Sequence, residues 1–156
     1  MAILGVLSDT HGLLRPEAAA HLAGVDRIIH AGDLEDTETL RRLATIAEVT
    51  AVRGNCDRGK WAKALRECEV FAIAGHTVCV VHALESLPRD PIAAGVSVVV
   101  FGHTHVPHNR VRDGVLYFNP GSAGPARLGK PITVGKLYLE PDAVRGEIIA
   151  LARAVG

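Results

Sequence analysis

Seven residues with metal-binding side chains sit where apolar runs of the sequence end. Asp9 and His11 follow "AILGVL", Asp33 follows "RIIHAG", and Asn55 follows "EVTAVRG". His82 closes "TVCVV", while His103 and His105 follow "VSVVVFG". Carboxylates, imidazoles and an amide without a thiolate suit Mn²⁺, Fe or Zn²⁺ better than Ca²⁺ or a structural zinc. Seven ligands are too many for one ion. They match two ions sharing a carboxylate, about 3.5–4 Å apart as in two-metal hydrolytic sites. Asp9/His11 and His103/His105 are each two residues apart, so on extended backbone both members of a pair face one side. Gly12, Gly32, Gly54 and Gly102 flank these residues and permit tight turns and close backbone approach.

Such ligands act together only if the strand ends converge, and the pattern of elements predicts that they do. "AILGVL" reads as a buried strand, and Pro16 opens a helix that stops at Gly24. "DRIIHAGD" is a second strand. Asp36 caps a helix over "TETLRRLATI", where Leu40, Leu43 and Ile46 fall at helical spacing, and "EVTAVRG" is a third strand. This β-α-β-α-β order marks a parallel sheet with crossover helices. In such sheets the loops beyond the strands' carboxyl ends share one crevice. Later come a hairpin of "CEVFAIAG" and "HTVCVVHA" about Gly75-His76, a short helix over "RDPIAAG", and the strand "VSVVVFG". Two more hairpins turn at Asp113-Gly114 and Pro141-Asp142. The expectation is a mixed α/β protein with parallel strands first, antiparallel strands later, and two packed sheets.

Composition narrows the function classes. The chain has 156 residues with formal net charge +0, which gives no electrostatic reason to expect nucleic acid or an anionic membrane. Its few aromatics argue against a base-stacking platform. The N-terminus lacks a basic region before its short apolar run, and no stretch approaches the ~20 apolar residues of a membrane span. Three cysteines without a C-x-x-C pair argue against a disulfide framework and a zinc ribbon. The expectation is a cytoplasmic protein of one domain, residues 1–156.

In order along the chain, D-x-H at Asp9/His11, G-D at Gly32-Asp33, and G-N-C-D at 54–57 are followed by a strand-ending His82 and G-H-x-H at 102–105. This series resembles the calcineurin-like metallophosphoesterases, in particular the small prokaryotic phosphodiesterases that carry "GNCD". "NPGS" at 119–122 is also similar to that branch. The resemblance implies a four-layer αββα sandwich of two mixed sheets flanked by helices. It implies one ion held by Asp9, His11, Asp33 and His105, and another by Asp33, Asn55, His82 and His103. The ions would be Mn, Fe, Ni or Zn, with Mn favoured. A hydroxide between them would hydrolyse a small phosphodiester by in-line displacement. Self-association is a further property of many members. Ala83 departs from the glycine that often follows the histidine at position 82.

Cys56 and Asp57 complete the G-N-C-D stretch. In better-known phosphatases of the superfamily a histidine occupies the place of Cys56 and can protonate the leaving oxygen. A thiol is a poorer acid at neutral pH, so esters with acidic leaving groups such as nitrophenol should be favoured. Asp57 is expected to orient its surroundings. Arg53 and Arg127 are candidates to clamp phosphate, with pairing of Arg53 to Asp57 as the alternative. Cys68 and Cys79 read as small buried residues, His30 as a satisfied strand histidine, His21 and His76 as surface, and His108 as structural. A cysteine phosphatase would need arginine six residues after a cysteine, where the chain has Ala62, Ala74 and Glu85. The rival from another class is a non-catalytic scaffold on the same fold, as in a retromer coat subunit whose metal site is degenerate.

Overall fold

The computed structural model describes residues 1–88, 90–127 and 129–151. The first apolar run forms β1 (Ala2–Leu7), whose alternate side chains divide between two cores. Ala2, Leu4 and Val6 enter the space between two sheets, while Leu7 and partly Ile3 face a helical layer. α1 (Pro16–His21) begins on proline, whose fixed φ suits the first helical position. It leads to β2 (Arg27–His30), parallel to β1 with Leu4 opposite Arg27. α2 (Thr37–Ala44) starts at Asp36, whose carboxylate accepts the Thr39 N–H at 3.0 Å. β3 (Val49–Ala51) then lies parallel to β2, and the short α3 (Lys60–Lys63) follows.

The second sheet is built from β4 (Cys68–Ile73), β5 (His76–Val81), β6 (Val98–Val100), β7 (His108–Arg112) and β8 (Val115–Asn119). β4 and β5 turn at Ala74 and Gly75, both with positive φ, so His76 already belongs to β5 instead of the turn. The Asp113-Gly114 turn between β7 and β8 likewise has both residues at positive φ, as a two-residue hairpin loop of this twist requires. The last hairpin, β9 (Thr133–Glu140) and β10 (Ala143–Ala150), returns to the first sheet and pairs β9 antiparallel to β1. The sheet orders are therefore β10-β9-β1-β2-β3 and β4-β5-β6-β8-β7.

The two sheets meet through Leu4, Val6, Ile29, Leu137 and Leu139 on one side and Val78, Val80, Val98, Val100 and Phe118 on the other. α1 and α2 cover the outer face of the first sheet through Ala18, Leu22 and Leu43. This is the two-sheet sandwich that the resemblance implies, with a thin layer over the second sheet. There a 3-10 turn (Leu84–Ser86) and the following segment, with Leu87 and Val96, pack on Cys79, Val99 and Phe101. The helix expected over "RDPIAAG" is absent from its described part, residues 90–95; Arg89 lies outside the described residues. The stretch makes turns instead. Asp90 accepts the Ile92 N–H in its own side-chain turn, and Gly95 ends the run before a helix can propagate. Cys79 is buried and Cys68 half-buried, their sulfurs 3.7 Å apart. His76 is tied to the Ser97 hydroxyl and the Glu140 carbonyl, not left to solvent. No helix among the described residues is long and apolar enough to cross a membrane.

Candidate metal centre

β1, β2 and β3 run parallel, as do β5 and β6, so five strands present their carboxyl ends to the same side. All seven ligand-type residues leave from those ends. The loops are bound tightly to one another: the Asp9 N–H donates to Gly32 O at 3.0 Å, His11 N–H to Asp33 O at 3.0 Å, and Gly12 N–H to Leu34 O at 2.8 Å. The i, i+2 pairs do share a side, but not through extended backbone. Asp9 (φ 56°), His11 (φ 48°), His103 (φ 70°) and His105 (φ 62°) are left-handed, as is Asp33 (φ 60°). Each such residue costs about 1–2 kcal/mol relative to ordinary backbone. Non-glycine residues held this way by surrounding hydrogen bonds concentrate where geometry serves function.

Two glycines permit the close approach. A Cβ on Gly54 would lie 2.2 Å from Asp33 Oδ1, and one on Gly102 would lie 2.1 Å from Ser8 Oγ. Both distances are below any real contact, so a side chain at either position would push the ligand loops apart.

The ligand atoms fall into two groups around Asp33. In the first, Asp9, His11 and His105 each offer an atom, all within 4.8 Å of one another. Asp9 Oδ1 and His105 Nε2 are 3.3 Å apart, and His11 Nε2 is 3.9 Å from Asp33 Oδ2. Asp9 Oδ1, His11 Nε2 and His105 Nδ1 are buried without a hydrogen-bond partner. A buried polar atom left unpaired is costly, and Asp9 Oδ1 with His11 Nε2 in one cluster fits a cation; His105 turns Nε2 toward Asp9, so its unpaired Nδ1 is the other ring nitrogen. In the second group, His82 Nε2 lies 2.9 Å from Asn55 Oδ1, 3.3 Å from Asp33 Oδ2 and 3.3 Å from His103 Nδ1. His103 Nδ1 is also 3.2 Å from Asn55 Oδ1. His82 Nδ1–H donates to Ala31 O at 2.7 Å, so a neutral His82 turns a lone pair toward Asn55 Oδ1. Two lone pairs at that distance require a proton or a metal ion between them. Asp33 Oδ2 faces both groups, while its other oxygen accepts the Cys56 N–H at 2.8 Å.

The charges respond to this crowding. Burial raises the Asp9 carboxyl above the usual range, against the Ser8 hydroxyl and His82. Burial also works against ionised Asp33, but His82 and the Cys56 amide outweigh it and hold the carboxyl well below the ordinary range. His105 is lowered to about 4, by burial first and then by the charge of nearby Arg127. His82 is raised because Asp33 and the Ala31 carbonyl overcome its burial.

Other predicted residues take clear places. Asp57 is buried and spends both oxygens on backbone. Its Oδ2 accepts from Asp33 at 3.0 Å and Gly54 at 2.8 Å, and its Oδ1 accepts from Glu35 at 2.8 Å. It therefore positions the loops and does not pair with Arg53, which instead meets Glu67 at 3.2 Å. Arg53 lines a pocket of about 160 Å³ beside the second group, together with Asn55, Glu67, His82, Ser86 and His103. Arg127 is exposed on the loop near His105. Burial and the neighbouring Asp33 and Glu35 carboxylates raise the Cys56 thiol, so it stays protonated at neutral pH. His108 stands exposed on β7 with its ring 5.7 Å from Phe101.

Four further residues brace the ligand loops: His30, Asn119, Ser122 and Glu35. His30 is fully buried; the Gly32 N–H donates to its Nδ1 at 3.1 Å, so its Nε2–H faces the Thr10 hydroxyl at 3.0 Å. It thereby joins the Asp9-Thr10-His11 turn to the Gly32-Asp33 turn. Asn119 donates to Gly102 O and to Thr104 Oγ1, both at 3.1 Å, and the Ser122 hydroxyl donates to Asp9 O at 3.1 Å. "NPGS" thus carried a signal for this brace. Glu35, with no motif to mark it, lies 3.0 Å from His11 Nδ1.

Residues 1–142 match the model of the calcineurin-like phosphoesterase superfamily domain. A probable metallophosphoesterase of Methanothermobacter thermautotrophicus is 34% identical over 160 residues, covering 94% of this chain and 91% of the relative. Phosphodiesterase YfcE of Escherichia coli K12 is 34% identical over 110 residues, covering 62% of this chain and 56% of the relative. Among solved structures, Vacuolar Protein Sorting 29 from Cryptosporidium parvum superposes with a TM-score of 0.82 at 20% identity, covering 97% of this chain and 92% of that one.

Proposed function

Because the chain belongs to the calcineurin-like phosphoesterase superfamily, we propose that this phosphoesterase is a phosphodiesterase with a two-ion centre that hydrolyses a small phosphodiester. The observation that carries the proposal is the convergence of six nitrogen- and oxygen-bearing side chains around Asp33, with Asp9 Oδ1 and His11 Nε2 buried without partners. Asp9, His11, Asp33 and His105 would hold one divalent ion, and Asp33, Asn55, His82 and His103 the other. When bound, such ions supply Lewis acidity toward phosphate oxygens and make water acidic enough to attack near neutral pH. Donors of nitrogen and oxygen without thiolate fit the set Mn, Fe, Ni and Zn, within which the family resemblance favours Mn²⁺.

The chain's own groups set the rest. Asp33 stays ionised and presents one oxygen, Oδ2, to both clusters, while the Cys56 amide holds the other. The backbone conformation of Asp9, His11, His103 and His105 fixes the ligands before substrate arrives, so the site does not reorganise during reaction. Arg53, at the mouth of the pocket beside His103, can release Glu67 and take a phosphate oxygen. Arg127 adds positive charge on the opposite cluster's side. Cys56 remains a thiol and is neither nucleophile nor strong acid. Proton delivery to the leaving oxygen therefore falls to solvent, which favours acidic leaving groups.

The test is hydrolysis of bis(p-nitrophenyl) phosphate by metal-free protein titrated with Mn²⁺, Ni²⁺ or Zn²⁺. Activity saturating at two ions per chain is expected, with alkyl diesters slower than aryl ones. No hydrolysis with any of these ions would leave the scaffold reading in its place.

A further inference from the structure

We propose that Glu35 is the positioning residue that makes His11 a metal ligand, an inference that rests on the two-ion reading above. Glu35 Oε1 lies 3.0 Å from His11 Nδ1. A carboxylate can only accept, so Nδ1 carries the proton and Nε2 keeps the lone pair. That Nε2 is the atom found buried without a partner, grouped with Asp9 and His105. A carboxylate behind a metal-binding imidazole fixes its tautomer and ring angle and makes it a better donor.

The backbone is shaped for this contact. Glu35 is left-handed (φ 68°), and its N–H is held by Asp57 Oδ1 at 2.8 Å. The other Asp57 oxygen holds the Asp33 N–H, so one buried carboxylate fixes both the shared ligand Asp33 and the residue behind His11. The His11 amide donates to Asp33 O, which sets the two loops in register. Among the described residues Glu35 has no lysine or arginine partner, and its ion-pair contact is His11.

Another reading of the same atoms is a separate ion held by His11, Glu35 and Cys56, whose ligand atoms also lie within 4.8 Å of one another. That ion would have to take His11 Nδ1, where the proton now sits, and strip the carboxylate from behind the ring. The protonated Cys56 thiol also makes a weak ligand.

The experiment is isothermal titration of metal-free full-length protein with Zn²⁺, on wild type, Glu35→Gln and Glu35→Ala. ¹⁵N NMR of the histidine rings follows in the zinc-loaded state. Wild type should bind two ions, with His11 carrying its proton on Nδ1. Glu35→Ala should weaken one ion by about 10–100-fold and leave the other unchanged, as loss of such a partner does at other metal sites. Glu35→Gln should retain most of the affinity, because its amide carbonyl still accepts the Nδ1–H. The inference is overturned if wild type binds two ions and Glu35→Ala binds both as tightly. Equal weakening of both ions, or a third ion in wild type that Glu35→Gln removes, overturns it as well. If wild type binds fewer than two ions, the two-ion reading itself falls, and the inference with it.

Discussion

The two ligand clusters on either side of Asp33 are built differently. Asp9 and His105 are buried, and with His11 they leave three polar atoms unpaired. Asn55 and His103 are exposed, and with His82 they contact one another at 2.9–3.3 Å. In the first cluster Asp9 Oδ1 and His11 Nε2 have no hydrogen-bond partner. The second can share a proton on His82, and it opens onto the pocket with Arg53. On the proposed two-ion reading this difference implies a division of labour: the buried cluster would anchor an ion and stabilise the fold, and the open one would meet substrate.

The largest effect should come from removing what the clusters share. Asp33→Ala should lower hydrolysis by about 10³-fold or more, since several kcal/mol of charge stabilisation goes with the ions. Counting ions per chain by mass spectrometry should show both sites impaired. Retention of one full site would mean that Asp33 serves a single cluster.

Asn55→Ala separates the two. It should cost about 10²-fold in activity through loss of one ion. Its stabilisation by the other ion should persist. At a free metal concentration of 100 Kd that stabilisation is about 2.7 kcal/mol, read from denaturant melts with and without metal. If Asn55→Ala abolishes the metal-dependent stabilisation, the division of labour is wrong.

The buried side also predicts a pH dependence. Burial lowers His30 to about 3, so the native imidazole is neutral while the unfolded one binds a proton below about pH 6.5. Its stabilisation is therefore full above that pH and is lost as pH falls toward 3. By pH 5.5 the loss should be about 1.4 kcal/mol. His30→Gln should be less stable at pH 7 and lack this component of the slope in urea melts at several pH values. An unchanged slope would show that other groups carry it.

Cys56→Ser should do least. Its N–H, not its thiol, serves Asp33, so ion content should stay at the wild-type value and activity should change little. A fully loaded but inactive Cys56→Ser protein would return the thiol to the chemistry.

Much of this site was legible before folding. The seven ligand types stood at strand ends, and β1-α1-β2-α2-β3 follows from proline, the Asp36 cap and apolar runs. The helix over "RDPIAAG" misled because helical residue types do not reveal that Asp90 and Gly95 close the segment into turns. The i, i+2 pairs pointed the right way for the wrong reason, since spacing cannot report φ. Arg53 could not be matched to Glu67 because the two are brought together only where β3's loop meets the start of β4.

The sequence alone determined the chemistry of the donors and the order in which strands deliver them, because residue type and apolar periodicity are local properties. The tertiary structure alone decided that β9 and β10 return beside β1. It also decided which backbone amides Asp57 and His30 accept from, and that Glu35 stands behind His11. Those are contacts between residues far apart in the chain or in turns whose direction depends on a left-handed φ. They exist only once two sheets have packed and the hydrogen bonds that hold such turns have formed.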